Sequence, residues 1–170
     1  TTPQKAWNAT GWKNEKVHTQ MVVYTKKPLK NISVSVSDLE DNRGNKIGKE
    51  NISTGFVGYV MTDEFRDGCG YRKSVDFDSS MVADIIDTDI HSIDVAQNTT
   101  QPIWITIAIP SNAKAGNYKG TVTINADKKH EFKINLKVLD RVLPSPAEWS
   151  FRLDYWQHPA AVARVHNVPL

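Results

Sequence analysis

The sequence predicts an all-β fold, two antiparallel sheets packed face to face, and three observations carry that prediction. Apolar residues recur at every second position in several stretches, short clusters of turn residues separate those stretches, and no long helical pattern lies among them. A period of two places apolar side chains on one face of a strand and polar ones on the other. That is the pattern of a half-buried antiparallel strand, with one face on the core and one in water.

Along the chain, residues 17–25 form a first, irregular strand candidate. Ile32, Val34 and Val36 then alternate with Ser33, Ser35 and Ser37. Residues 55–62, 82–86 and 90–95 are further candidates of weaker regularity. Ile103, Ile105, Ile107 and Ile109 share one face with Trp104, Thr106 and Ala108 opposite, so Trp104 points outward or into an interface. Tyr118, Gly120, Val122 and Ile124 alternate with Lys119, Thr121, Thr123 and Asn125. Phe132, Ile134, Leu136 and Val138 alternate with Glu131, Lys133, Asn135 and Lys137. These last two stretches, 118–126 and 130–139, read as a hairpin turning at Asp127–Lys129. Other turns fall at 41–45, 67–70 and 115–117, where Asp, Asn and Gly gather. Seven or eight short strands so spaced predict an immunoglobulin-like antiparallel β-sandwich.

The length of 170 residues suits one domain with a sizeable core and a small appendage. The 21 basic and 19 acidic residues are interspersed, which leaves no basic stripe for nucleic acid. Apolar runs such as 103–109 are far shorter than the ~20 residues of a membrane helix, so no membrane-spanning segment is expected. The chain opens without an apolar signal core. The single cysteine, Cys69, allows no intrachain disulfide and no cysteine-based zinc site. Four Asn-X-Ser/Thr matches, at Asn8, Asn31, Asn51 and Asn98, have meaning only in a eukaryotic secreted protein.

No residue here carries a catalytic or metal-binding motif, and no cofactor is expected. Asp84, Asp87, Asp89 and Asp94 lack the glycine that a twelve-residue calcium loop needs, and read as a solvated strand-and-turn edge. Asp63, Glu64 and Asp67 read the same way. His18, His91, His130, His158 and His166 include no His-Glu-x-x-His motif and no pair four residues apart. There is no Gly-x-Ser-x-Gly turn for a serine nucleophile and no glycine-rich phosphate loop. Cys69 lies between two glycines, but nothing nearby in sequence supplies a base. Trp7, Trp12, Trp104, Trp149 and Trp156 offer either domain packing or, in the rival reading, a platform for stacking sugars.

The character changes at Leu143-Pro144-Ser145-Pro146. Two prolines spaced by one residue lack the donors of a central strand and read as a stiff linker. The boundaries are therefore a sandwich over 1–143 and an appendage over 144–170. Residues 149–157 look like a new strand, and Pro159 opens a short helix over 160–166.

The tail Leu143-Pro-Ser-Pro-Ala-Glu-Trp-Ser-Phe-Arg-Leu-Asp-Tyr-Trp-Gln-His-Pro-Ala-Ala-Val-Ala-Arg resembles the junction in glycoside hydrolase family 123, where an N-terminal sandwich hands over to a (β/α)₈ barrel. Gly68-Cys69-Gly70-Tyr71-Arg72, Met81-Val82-Ala83-Asp84, Pro102-Ile103-Trp104-Ile105-Thr106 and the stretch from Ala115 to Val122 match as well. The resemblance runs from about Trp12 to the C-terminus. It implies a bacterial, extracytoplasmic (periplasmic or cell-surface) β-N-acetylgalactosaminidase whose substrate acetamido group is the nucleophile, assisted by an Asp-Glu pair. Such assistance departs from the two-carboxylate scheme of most glycosidases. That pair belongs to the barrel and not to this chain, which is accordingly expected to be inactive alone. The implied partners are the catalytic barrel of the same polypeptide and glycans. Residues 149–157 would be the first barrel strand, and Asp154, Trp156 and Gln157, toward its C-terminal end, would face substrate in the complete enzyme. The alternative is an independent carbohydrate-binding or protein-interaction module of the same fold.

Overall fold

The computed structural model describes residues 6–62, 80–151 and 159–169. Among the described residues eleven strands form two sheets. In order they are β1 (Ala6–Lys13), β2 (Lys16–Thr25), β3 (Leu29–Val36), β4 (Leu39–Glu40), β5 (Lys46–Ile47), β6 (Ile52–Thr62), β7 (Ser80–Asp87), β8 (Ser92–Val95), β9 (Thr99–Ala108), β10 (Gly116–Asn125) and β11 (Lys129–Val142). The first sheet runs β1-β11-β10-β3-β8, with the short β4–β5 ribbon attached to β10, and the second runs β2-β9-β6-β7. Within them, β3-β10-β11 and β2-β9-β6 reproduce the C-F-G and B-E-D groupings of an immunoglobulin sandwich.

The alternation read from sequence is realised between the sheets. Ile32, Ile103, Ile105, Ile107, Tyr118, Val122, Ile134 and Leu136 are all buried in one core cluster. The expected hairpin is present as β10–β11, in register from Gly116↔Val138 to Asn125↔Lys129. Tyr118 adds a feature of this fold class. Its ring is buried, and its hydroxyl donates to the Lys114 carbonyl four residues back at 2.8 Å, a tyrosine corner. Burial of the ring, followed by the nearby Asp41 carboxylate, pushes the hydroxyl above its ordinary value of 10.0.

Three strands went unread in sequence, one because its inward side chains are small and two because they are short. The inward positions of β1 hold Trp7 and then only the small residues Ala9 and Gly11, so its alternation is faint. A Cβ on Gly11 would come within 2.6 Å of Ile109 Cδ1. β1 pairs with β11 in parallel, whereas every other pairing of the described strands is antiparallel. The chain then crosses to the other sheet within two residues. Asn14, at φ 66, donates its N–H to Ile109 O (2.8 Å) and its side-chain amide to Leu143 O (2.8 Å), tying the ends of β9 and β11 together. The left-handed conformation suits asparagine better than most residues. β4 and β5 are two residues each and too short for periodicity to register.

β9 begins at Thr99, earlier than the isoleucine run suggested, and so contains Pro102. Continuing the β6–β9 register beyond Phe56↔Ile103 would set Pro102 against Val57, and proline has no N–H to give. The buried side chain of Gln101 supplies the donor, its Nε2 lying 2.9 Å from Val57 O and 2.8 Å from Pro102 O. Beyond this point β6 pairs with β7 only. We expect Gln101→Leu to destabilise the chain by about 1–3 kcal/mol in denaturant unfolding, the usual penalty for a stranded buried carbonyl. An unchanged midpoint would show that water or a shifted backbone replaces the amide.

Candidate functional site

The carboxylates singled out in sequence do not converge. Asp87 Oδ1 accepts the backbone N–H groups of Asp89 (2.9 Å) and Ile90 (3.1 Å), closing a turn. Asp94 accepts Asn31 N–H at 2.9 Å and pairs with Lys30 at 2.6 Å; the lysine first and the amide second hold its carboxyl below 3.8. Asp84 and Asp89 are exposed. Asp41, in the turn expected at 41–45, accepts the Asn45 side-chain amide and then the Asn45 and Arg43 backbone amides, which lower its carboxyl too. These carboxylates organise loops. Among the described residues no three His, Cys, Asp or Glu side chains gather as metal ligands. Asp63, Glu64, Asp67, Cys69 and His158 lie outside the described residues, and so do Asp154, Trp156 and Gln157.

The histidines separate as well. His91, His130 and His166 are exposed, whereas His18 on β2 meets Trp104 on β9. Their ring centroids are 5.7 Å apart; the indole N–H donates to His18 Nδ1 at 3.3 Å, and Thr106 Oγ1 lies 2.9 Å from the same nitrogen. An indole N–H can only donate, so Nδ1 is the acceptor in this contact. Trp104 thus points outward, one of the two orientations expected of it.

Trp104 borders an apolar band across the outer face of the four-stranded sheet. Val22 stands opposite Pro102, and Val57 opposite Ile86. In the next row Tyr24 faces Thr100 and Tyr59 faces Ala83, with Tyr59 Oη donating to Thr100 O at 2.7 Å. Met61 and Met81 oppose each other beyond them. Val57 is only 4% exposed yet does not belong to the core cluster, so it is covered from the outer side by its neighbours. The signal was present in the uninterrupted apolar runs Met21-Val22-Val23-Tyr24 and Tyr59-Val60-Met61, which mark strands apolar on both faces.

The outer face of the seven-stranded sheet is different. It carries a trough of about 700 Å³ whose lining includes Asn8, Asn117, Asn135, Lys119 and Lys137, with Asn135 donating to Asn8 at 2.8 Å. At the open edge between the sheets, Trp7, Met21 and Phe132 help to line an apolar cleft of about 330 Å³.

The exit from the sandwich is a hydrogen-bonded collar. Leu143 N–H donates to Lys13 O at 2.8 Å. Pro146–Glu148 form one turn of 3₁₀ helix, and the backbone N–H and hydroxyl of Ser145 both reach Glu148 Oε2, at 3.0 and 3.1 Å. Trp149 Nε1 donates to Pro144 O at 3.0 Å and its ring stacks on Phe151 at 5.2 Å. The segment around these prolines is therefore held by side-chain hydrogen bonds as well as by the proline rings. Of the strand expected over 149–157, only 149–151 are described, and they carry no strand pairing. The expected helix is present as α1 (Pro159–His166), with proline first. It ends at Asn167, φ 54, where Val168 N–H returns to Ala163 O at 3.0 Å in a Schellman closure. Deleting residues 147–170 is expected to leave the cooperative unfolding of the sandwich intact. Loss of that transition would make the tail part of the sandwich.

This architecture defines an immunoglobulin-like sandwich domain with a braced C-terminal exit. Residues 1–126 match the sequence pattern of the glycoside hydrolase 123 N-terminal domain, and the chain belongs to that family as the N-terminal domain of a glycoside hydrolase. A solved family 123 glycoside hydrolase from Clostridium perfringens, described for glycolipid glycan hydrolysis, superposes with a TM-score of 0.86 at 27% identity. The match covers 97% of this chain and 28% of that one, so the chain spans little more than a quarter of that hydrolase. A structure of the cell-adhesive VGSC beta subunits aligns over 83% of this chain and 98% of its own, at 11% identity and a TM-score of 0.38. No curated protein matches.

Proposed function

We propose that this chain is the non-catalytic N-terminal domain of a bacterial, extracytoplasmic β-N-acetylgalactosaminidase, and that its work is to hold and orient the catalytic barrel of the same polypeptide. The observation that carries this reading is the family 123 likeness, which covers nearly all of this chain but little more than a quarter of the hydrolase. Supporting it, Asp41, Asp87 and Asp94 are occupied by loop amides and surface partners rather than set as an acid/base pair. The collar at Leu143–Trp149 suits a domain whose successor must sit in a defined direction. In this reading residues 144–170 begin the barrel, and Asp154, Trp156 and Gln157 contact substrate once the barrel is complete.

Purified chain incubated with an aryl N-acetyl-β-galactosaminide is expected to release no product. Turnover that survives repurification, and disappears when a carboxylate of this chain is replaced, would overturn the non-catalytic assignment.

A further inference from the structure

We infer that the apolar band on the outer face of the four-stranded sheet is the surface on which the larger, C-terminal part of the same polypeptide docks. The inference rests on the reading above, because it needs that part to exist.

The two outer faces of the sandwich are unequal. The seven-stranded sheet presents amides and lysines, the ordinary solvated face of an antiparallel sheet. The four-stranded sheet presents Val22 at 60% exposure, Tyr24 at 58%, Met61 at 60% and Met81 at 56%, around the already covered Val57. Their cross-strand partners Pro102, Thr100 and Ala83 are uncharged too. A contiguous uncharged face of this kind marks an interaction site. Aromatic residues and methionine are also the side chains enriched at interfaces.

Two observations select the occupant. First, the hydrolase that this chain resembles has nearly three quarters of its length outside the match, so a large body is tethered to a domain like this one. Second, the exit is joined to this sheet: Asn14 binds both Leu143 O, where the chain leaves, and Ile109 O, just past the end of β9. Trp104, at the near margin of the band, is five residues along β9 from Ile109, roughly 17 Å away. A body of some 400 residues has a radius of gyration of about 21 Å, so one anchored at the exit reaches over the band. Its contacting surface would be apolar and uncharged.

The chain's three methionines make the test direct. Met61 and Met81 lie on the band, while Met21 faces the core and serves as the internal reference. Hydroxyl-radical footprinting with mass spectrometry would compare this chain with the longest natural polypeptide that contains it. We expect at least fivefold slower oxidation of Met61, Met81 and Tyr24 in the long form, with Met21 unchanged. Equal rates in the two forms would overturn the inference. So would protection that already develops in the 170-residue chain as its concentration rises, since a second copy would then cover the band. A natural polypeptide ending at Leu170 would remove the proposed function and this inference together. A long form that protects the methionines but hydrolyses no N-acetylgalactosaminide would end the enzymatic reading and leave the docking surface standing.

Discussion

Leu136→Ala is expected to lower the unfolding free energy by about 2–5 kcal/mol, the usual cost of emptying a buried leucine site. Leu136 lies mid-strand in β11, between Tyr118 on β10 and Ala9 on β1, and is 1% exposed. A neighbouring strand on each side and the opposing sheet beneath leave little freedom for the site to collapse. Urea titration of both proteins would measure the difference. A loss below about 0.5 kcal/mol, the scale of surface substitutions, would show that this face of β11 lies outside the core.

Gly120→Val is expected to cost about 1–3 kcal/mol or more, for the opposite reason. Gly120 occupies a core-facing position between Tyr118 and Val122, and the room its absent side chain leaves is filled by Leu39 from β4. A Cβ there would collide with Leu39 Cδ2 and would also lie 3.1 Å from both Asp38 O and Ser37 Oγ. Leu39 is fully buried and cannot swing into solvent. Removing the obstruction supplies the control: in a double-mutant cycle, Leu39→Ala should recover part of the cost of Gly120→Val. Strictly additive losses would mean that the strain comes from the contacts with Asp38 O and Ser37 Oγ alone.

The pairing of these two positions explains a glycine that sequence could only place. Its alternation put Gly120 on the apolar side of β10, where a missing side chain looks like a weakness. The structure shows a socket for a residue 81 positions earlier, which no local pattern announces. Pro102 is a similar case. A proline inside a central strand argues against the strand, and only the Gln101 amide, reaching across to Val57, makes it tolerable.

The candidate surfaces divide along the same line. The loop carboxylates were legible as solvated turn residues because their partners are local: Asp41 binds Arg43 and Asn45, and Asp87 binds Asp89 and Ile90. The apolar band was legible only in part: the runs Met21-Val22-Val23-Tyr24 and Tyr59-Val60-Met61 mark strands apolar on both faces, but which outer residues of the four strands meet is decided by pairing across the sheet.

By itself the sequence determined the sandwich, the β10–β11 hairpin, the isoleucine face of β9 and the proline-marked exit, because strand period, turn chemistry and proline geometry act over a few residues. Tertiary structure decided the rest. The parallel seating of β1, the socket at Gly120, the collar around Leu143 and the band on the outer sheet all depend on residues distant in the chain. Their energies come from packing and hydrogen bonds that exist only once the two sheets have met.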